Sequence, residues 1–130
     1  MKAIRTLISD DSGAMRKVLR AVLEGYLGID IVGEASDGQE AIEQAHTLRP
    51  DLVIMDITMP RLDGLAAAKR IKEFSPETEI LIFSMHRLKE FVEWSKKAGM
   101  SGFVVKEEGG AELLSAVSDV IQHHPHFPRC

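Results

Sequence analysis

The stretch "LVIMDITMP", Leu52 to Pro60, runs apolar residues straight into an acid and then breaks at a proline. Leu52–Met55 is too short for a helix and apolar on both sides of its zigzag, the pattern of a strand covered on both faces. An unpaired charge at the mouth of a buried strand is costly, so Asp56 demands positive partners. Working outward, four more short runs rich in Ile, Val and Leu are found: "AIRTLISD" ending at Asp10, "IDIVGEA" ending at Ala35, "EILIFS" ending at Ser84 and "GFVVK" ending at Lys106. Each is followed by a longer stretch at helical spacing, so the chain predicts β then α, five times.

The helices have legible faces and ends. After Ser12, a candidate N-cap, the residues Met15, Val18, Leu19, Val22 and Tyr26 fall on one stripe, and Leu113, Leu114, Val117, Val120 and Ile121 form another. Asp37 reads as a helix start and Gly99 as a stop, while Pro50 and Pro76 close the second and third helical stretches. The tail "HHPHFPRC" loses the periodicity.

With 130 residues, 45% hydrophobic and 28% charged, the chain has room for one domain with a sizeable core. A formal net charge of -4 argues against a phosphate-gripping surface for nucleic acid. No segment has the run of about 18 apolar residues needed to span a membrane, and "MKAIRTLISDD" turns acidic before a signal-peptide core develops. A cytoplasmic location without membrane contact is expected. The single cysteine, Cys130, cannot form an internal disulfide, which fits a reducing compartment.

Repeated βα units with short connections imply right-handed crossovers and a doubly wound parallel sheet. Ligands in such sheets sit beyond the carboxyl ends of the strands. The residues ending strands one, three, four and five are Asp10 with Asp11, Asp56, Ser84 and Lys106. Three carboxylates in one crevice repel unless a cation sits among them. Mg²⁺ suits oxygen ligands and typically uses one or two carboxylates plus a substrate phosphate, and the backbone carbonyl of Thr58 is placed to complete the set. A carboxylate also serves as a nucleophile toward phosphorus, and Asp56, fixed by "LVIM" behind it, is the natural candidate. Lys106 and the Ser84 hydroxyl would then neutralise and hydrogen-bond the transferring oxygens. Taken singly, each of these residues is a common turn, cap or strand end; their order along one βα array carries the inference.

These residues are similar to a known family: the chain resembles, over essentially its whole length, the receiver domain of bacterial two-component response regulators. The match runs through "ISDDS" with Asp10 and Asp11, "VIMDITMPRLDG" with Asp56, Pro60 and Gly64, "LIFSMH" with Ser84, and "GFVVKEE" with Lys106. The resemblance implies a flavodoxin-like α/β fold: a five-stranded parallel sheet of order 2-1-3-4-5 with five helices. It implies a phosphorylation-activated switch, not an enzyme acting on separate substrates. Asp56 accepts a phosphoryl group from a sensor histidine kinase with Mg²⁺ (or Mn²⁺) on Asp10, Asp11, Asp56 and the Thr58 carbonyl. Ser84 and Phe103 are the implied switch residues, and Thr58 and His86 tune the lifetime of the phosphate. Glu107 follows Lys106 where many receivers carry proline.

"SMH" and "KEEGGAELLSAV" resemble the NarL/FixJ class, whose receivers precede a LuxR-type helix-turn-helix. The expected layout is a receiver over residues 1–123, with 124–130 a C-terminal tail or the start of an interdomain linker. A transcriptional output, attached or separate, is expected, with DNA reached only through an output domain that these residues do not contain. A homodimer formed on phosphorylation is among the implied partnerships.

The alternatives are a stand-alone receiver acting through protein contacts and a haloacid-dehalogenase-type phosphatase. In the phosphatase pattern D-x-D-x-T a second acid follows the nucleophile; Thr58 stands there. A flavodoxin-like nucleotide binder would need a phosphate loop, and "DDSGAMRK" is too acidic for one. His123, His124 and His126 are weighed as a metal site and set aside, because a loose tail with an intervening proline does not fix ligand geometry. Trp94 is expected to pack partly into the core.

Overall fold

Alternation along a single strand sorts the core in two: Val53 and Met55 point to one side of the sheet, Leu52 and Ile54 to the other. The computed structural model describes residues 3–26, 28–57, 63–85 and 89–128. Its elements alternate throughout: β1 (Ile4–Ser9), α1 (Gly13–Glu24), β2 (Ile29–Ala35), α2 (Gly38–Leu48), β3 (Leu52–Met55), α3 (Gly64–Phe74), β4 (Glu79–Ser84), α4 (Lys89–Lys97), β5 (Gly102–Val105) and α5 (Gly109–Ile121). All pairings are parallel and the order is β2-β1-β3-β4-β5.

One face of the sheet is covered by α2, α3 and α4, through Ala41, Ala45, Ala67, Ala68, Ile71 and Val92. The other is covered by α1 and α5, through Leu19, Leu23, Leu113, Ala116, Val117 and Val120. Small residues on α2 and α3 let those helices approach the strands closely. Full burial of an Ile or Leu side chain here stabilises the fold by about 1.5–3 kcal/mol.

The helix ends form as their residues dictate. The side chain of Ser12 accepts from the Met15 amide, Asp37 from Glu40 and Asp63 from Ala66. Gly99, at φ +84°, stops the chain after α4. The stripe on α1 differs from expectation: Val18 is 54% exposed, whereas Leu23 is fully buried. The helix is rotated so that Leu19 and Leu23, a turn apart, face the sheet, while Met15 and Val22 flank them. Trp94 packs partly against the α4 side of the core, as expected.

The aperiodic tail is attached to the sheet as far as Phe127. The Phe103 amide donates to the His126 carbonyl at 2.8 Å, and the His126 amide donates to the Ser101 carbonyl at 3.2 Å. His126 thus forms a parallel bridge with Gly102 on the outer edge of β5. Its ring is held by Asp119 Oδ2 at 2.8 Å from Nδ1 and Glu112 Oε1 at 2.6 Å from Nε2. Phe127 packs on the α4 side with Lys96 Nζ 5.5 Å from its ring centre. The expectation of unfixed histidines fails at His126, because carboxylates of α5 fix it.

Candidate phosphoacceptor site

The strands end one residue sooner than expected, at Ser9, Met55 and Val105, so Asp10, Asp56 and Lys106 stand just past them. The ladder still holds the two acids. The Asp10 amide donates to the Ala35 carbonyl at 3.0 Å and the Asp56 amide to the Ser9 carbonyl at 2.9 Å. Both carboxylates therefore project from rigid backbone at the carboxyl edge of the central strands. Behind Asp56, the first residue of α3 is seated directly on the strand end. A Cβ on Gly64 would lie 1.6 Å from the Asp56 carbonyl oxygen, and the Gly64 amide donates to Ile57 at 2.7 Å. No side chain fits there.

Asp10, Asp11, Asp56 and Lys106 converge. One carboxylate oxygen from each of the three acids lies within 4.8 Å of the others. Lys106 Nζ donates to Asp10 Oδ2 at 2.7 Å and lies 3.5 Å from Asp56 Oδ1. Asp10 Oδ1 accepts the Ser12 amide at 2.9 Å. Beneath the ammonium, 5.7 Å from Nζ, is the ring of Phe83. Asp10 and Asp56 are buried while Asp11 is exposed at the rim. A cavity of about 340 Å³ opens between them, lined by these four residues with Ser12, Met15 and Met85.

Three carboxylates facing one ammonium leave the cavity electronegative. All-oxygen donors, closely spaced and open to solvent on one side, fit a hard divalent cation that keeps several waters. The donor set thus fits Mg²⁺ through Asp10, Asp11 and Asp56.

Ser84 ends β4 opposite Val105 and is fully buried, next to Met85 at the cavity mouth. Phe103 is buried opposite Ile82 and packs toward α4. Neither lines the cavity. Thr58 and His86, with Pro60, lie outside the described residues.

Sequence reasoning missed Met85, Met15 and Arg16. Met85 was within reach of the strand-end rule, being the first residue beyond β4. Arg16 Nη1 donates to the Asp10 carbonyl at 2.6 Å, and its signal was a long cation on the first turn after the acidic pair.

Residues 6–118 match the response regulator receiver domain family. The chain is 36% identical over 116 residues to chemotaxis protein CheY of Thermotoga maritima, covering 89% of this chain and 96% of that one. It is similar to the crystal structure of a LuxR-family two-component response regulator from Aurantimonas sp. SI85-9A1: TM-score 0.91, 32% identity, 96% of this chain and 89% of that one. It is also similar to a CheX–CheY–BeF3–Mg²⁺ complex from Borrelia burgdorferi: TM-score 0.86, 30% identity, 92% and 90% covered. The chain spans only 59%, 20% and 34% of three further curated relatives. No described helix is long and apolar enough to cross a membrane. The haloacid-dehalogenase alternative gives way to these matches. Strand order, the acidic pocket and matched residues that include every member of that pocket lead to one conclusion: this chain belongs to the response regulator receiver domain family.

Proposed function

We propose that Asp56 is the phosphoacceptor of this receiver and that a phosphohistidine of a sensor histidine kinase is its donor. The observation that carries this reading is the ammonium of Lys106 spanning Asp10 and Asp56, at 2.7 and 3.5 Å, above an open acidic cavity. An oxygen of Asp56 attacks phosphorus; the P–N bond to the donor imidazole breaks as the O–P bond forms, and the leaving nitrogen keeps the electron pair. Backbone hydrogen bonding fixes the direction of attack, so the chain contributes positioning more than covalent chemistry. Asp10, Asp11 and Asp56, with the Thr58 carbonyl, would hold Mg²⁺ (or Mn²⁺), which would supply neutralisation of charge on the phosphoryl oxygens. Lys106 moves from Asp56 to a phosphoryl oxygen, exchanging one charge-assisted bond for another.

Ser84 donates to a second phosphoryl oxygen, and its shift frees space for Phe103, so that the α4–β5–α5 surface changes. Thr58 and His86, two positions after Asp56 and Ser84 respectively in the sequence, are assigned to setting the phosphate lifetime. The receiver occupies residues 1–123, and 124–130 continue as tail or linker. Similarity to a LuxR-family regulator supports a transcriptional output reached through another domain, and dimerisation on phosphorylation is part of the same proposal.

Incubation with acetyl phosphate and Mg²⁺ should add one acid-stable, alkali-labile phosphoryl group, read by intact mass. Asp56→Asn should abolish it. Incorporation that survives Asp56→Asn, or turnover of many phosphate esters per chain, would overturn the assignment.

A further inference from the structure

Asp10 and Asp56 are each held by neighbours, but Asp11 has no side-chain hydrogen bond among the described residues. The position of its carboxylate is therefore inherited from its backbone. The Asp10 carbonyl and the Asp11 amide belong to one rigid peptide plane, so a grip on that carbonyl sets where Asp11 begins. Arg16 supplies the grip. Nη1 donates to the Asp10 carbonyl at 2.6 Å while Nε donates to Glu34 Oε1, on β2, at 2.9 Å. Glu34 is itself held by Arg20, whose Nη2 donates to Oε2 at 2.7 Å. The planar fork of a guanidinium can bridge a carbonyl and a carboxylate in fixed geometry, which an ammonium cannot reproduce.

We propose that Arg16, anchored by Glu34, is a positioning residue for divalent-cation binding in the pocket of Asp10, Asp11 and Asp56. This rests on the reading of that pocket as a cation site. Two effects of Arg16 have opposite signs. As a bare cation beside an acidic pocket it would repel the metal, and its removal would tighten binding. As a brace it orders Asp11, and its removal loosens binding. Glu34 lies between Arg16 and Arg20, and Glu24 stands 3.6 Å from Arg20, so two carboxylates offset the two guanidiniums and ordering wins.

The test is a titration of Mg²⁺ alone into ¹⁵N-labelled protein, following the amides of Asp11, Ser12 and Ile57. Arg16→Ala should raise the Mg²⁺ dissociation constant about tenfold, the lower end of effects seen when groups orienting metal ligands are removed. Glu34→Gln should raise it less, and Arg16→Lys should fall between wild type and Arg16→Ala. Arg20→Ala breaks the other half of the Glu34 pairing without touching Asp10, and should raise the Mg²⁺ dissociation constant less than Arg16→Ala does. With acetyl phosphate, Arg16→Ala should need more Mg²⁺ for half-maximal phosphorylation yet reach the wild-type rate at saturation. Unchanged or tighter Mg²⁺ binding in Arg16→Ala, or equal weakening in Arg20→Ala, would overturn the brace. Those outcomes leave the pocket standing if Asp11→Asn still abolishes Mg²⁺ binding. Failure of wild type to bind Mg²⁺ would remove the pocket reading and the brace together.

Discussion

Twice in this molecule one cation lies between two carboxylates, with opposite consequences. At the carboxyl edge of the sheet, Lys106 spans buried Asp10 and Asp56, and a third acid, Asp11, faces the same cavity unmatched. On the β5 edge, His126 spans Glu112 and Asp119, both part-exposed. Each ring nitrogen of His126 meets a carboxylate oxygen. Ionised carboxylates only accept, so the arrangement favours the imidazolium, in which both ring N–H groups donate. Burial by itself lowers the imidazole pKa, and the bonds from Asp119 and Glu112 outweigh it, leaving the net value raised. The clamp is satisfied and fastens a segment of chain. The pocket is short of positive charge and open, so it has work left for a ligand. The difference lies in charge balance and access, not in the residue types.

The contrast can be broken or sharpened by substitution. The largest effect is expected from Gly64→Ala, since a methyl 1.6 Å from the Asp56 carbonyl oxygen must displace the strand end or the helix. A loss of about 3 kcal/mol or more in denaturant unfolding is expected, with phosphorylation lost. Wild-type stability would show that the α3 seat is slack. Next, Asp56→Asn should stabilise the metal-free protein by about 1 kcal/mol by relieving repulsion, at the expense of function. Asp119→Asn should destabilise it by a similar amount, because the half-exposed clamp loses a charge-assisted bond. Opposite signs for two Asp→Asn changes are the signature of the contrast; equal signs would erase it.

The smallest effect is one of pH. Folding favours charged His126, so its contribution is complete below the unfolded pKa of about 6.5 and fades as pH rises through the raised folded-state value. The difference in melting temperature between wild type and His126→Ala should therefore shrink as pH rises above about 6.5. Trp94, the single tryptophan, packs on the same cluster as Phe127 and should report tail release by fluorescence. A difference that is flat with pH would mean that the clamp does not control docking.

Much of the site was legible because one rule, that strand ends line the crevice, needed only the order of elements. Asp10, Asp11, Asp56 and Lys106 followed from it. Val18 and Leu23 were misjudged because neighbouring apolar residues on a helix leave its rotation to packing against the sheet. The docked tail left no periodic signal, since a single bridged residue has no period. Glu112 and Asp119, seven apart on one face of α5, were its one legible trace. Arg16 was hidden for another reason: its partner Glu34 is brought near only by the pairing of β2 with β1.

The most direct test of the central claim is a structure determined with Mg²⁺ and beryllofluoride. Beryllium should be bonded to an Asp56 oxygen, with Lys106 Nζ turned onto a fluorine and the metal on Asp10 and Asp11, and Asp56→Asn should bind neither. A pocket without the adduct at saturating beryllofluoride, or Asp56 turned away from Asp11 and Lys106, would contradict the account.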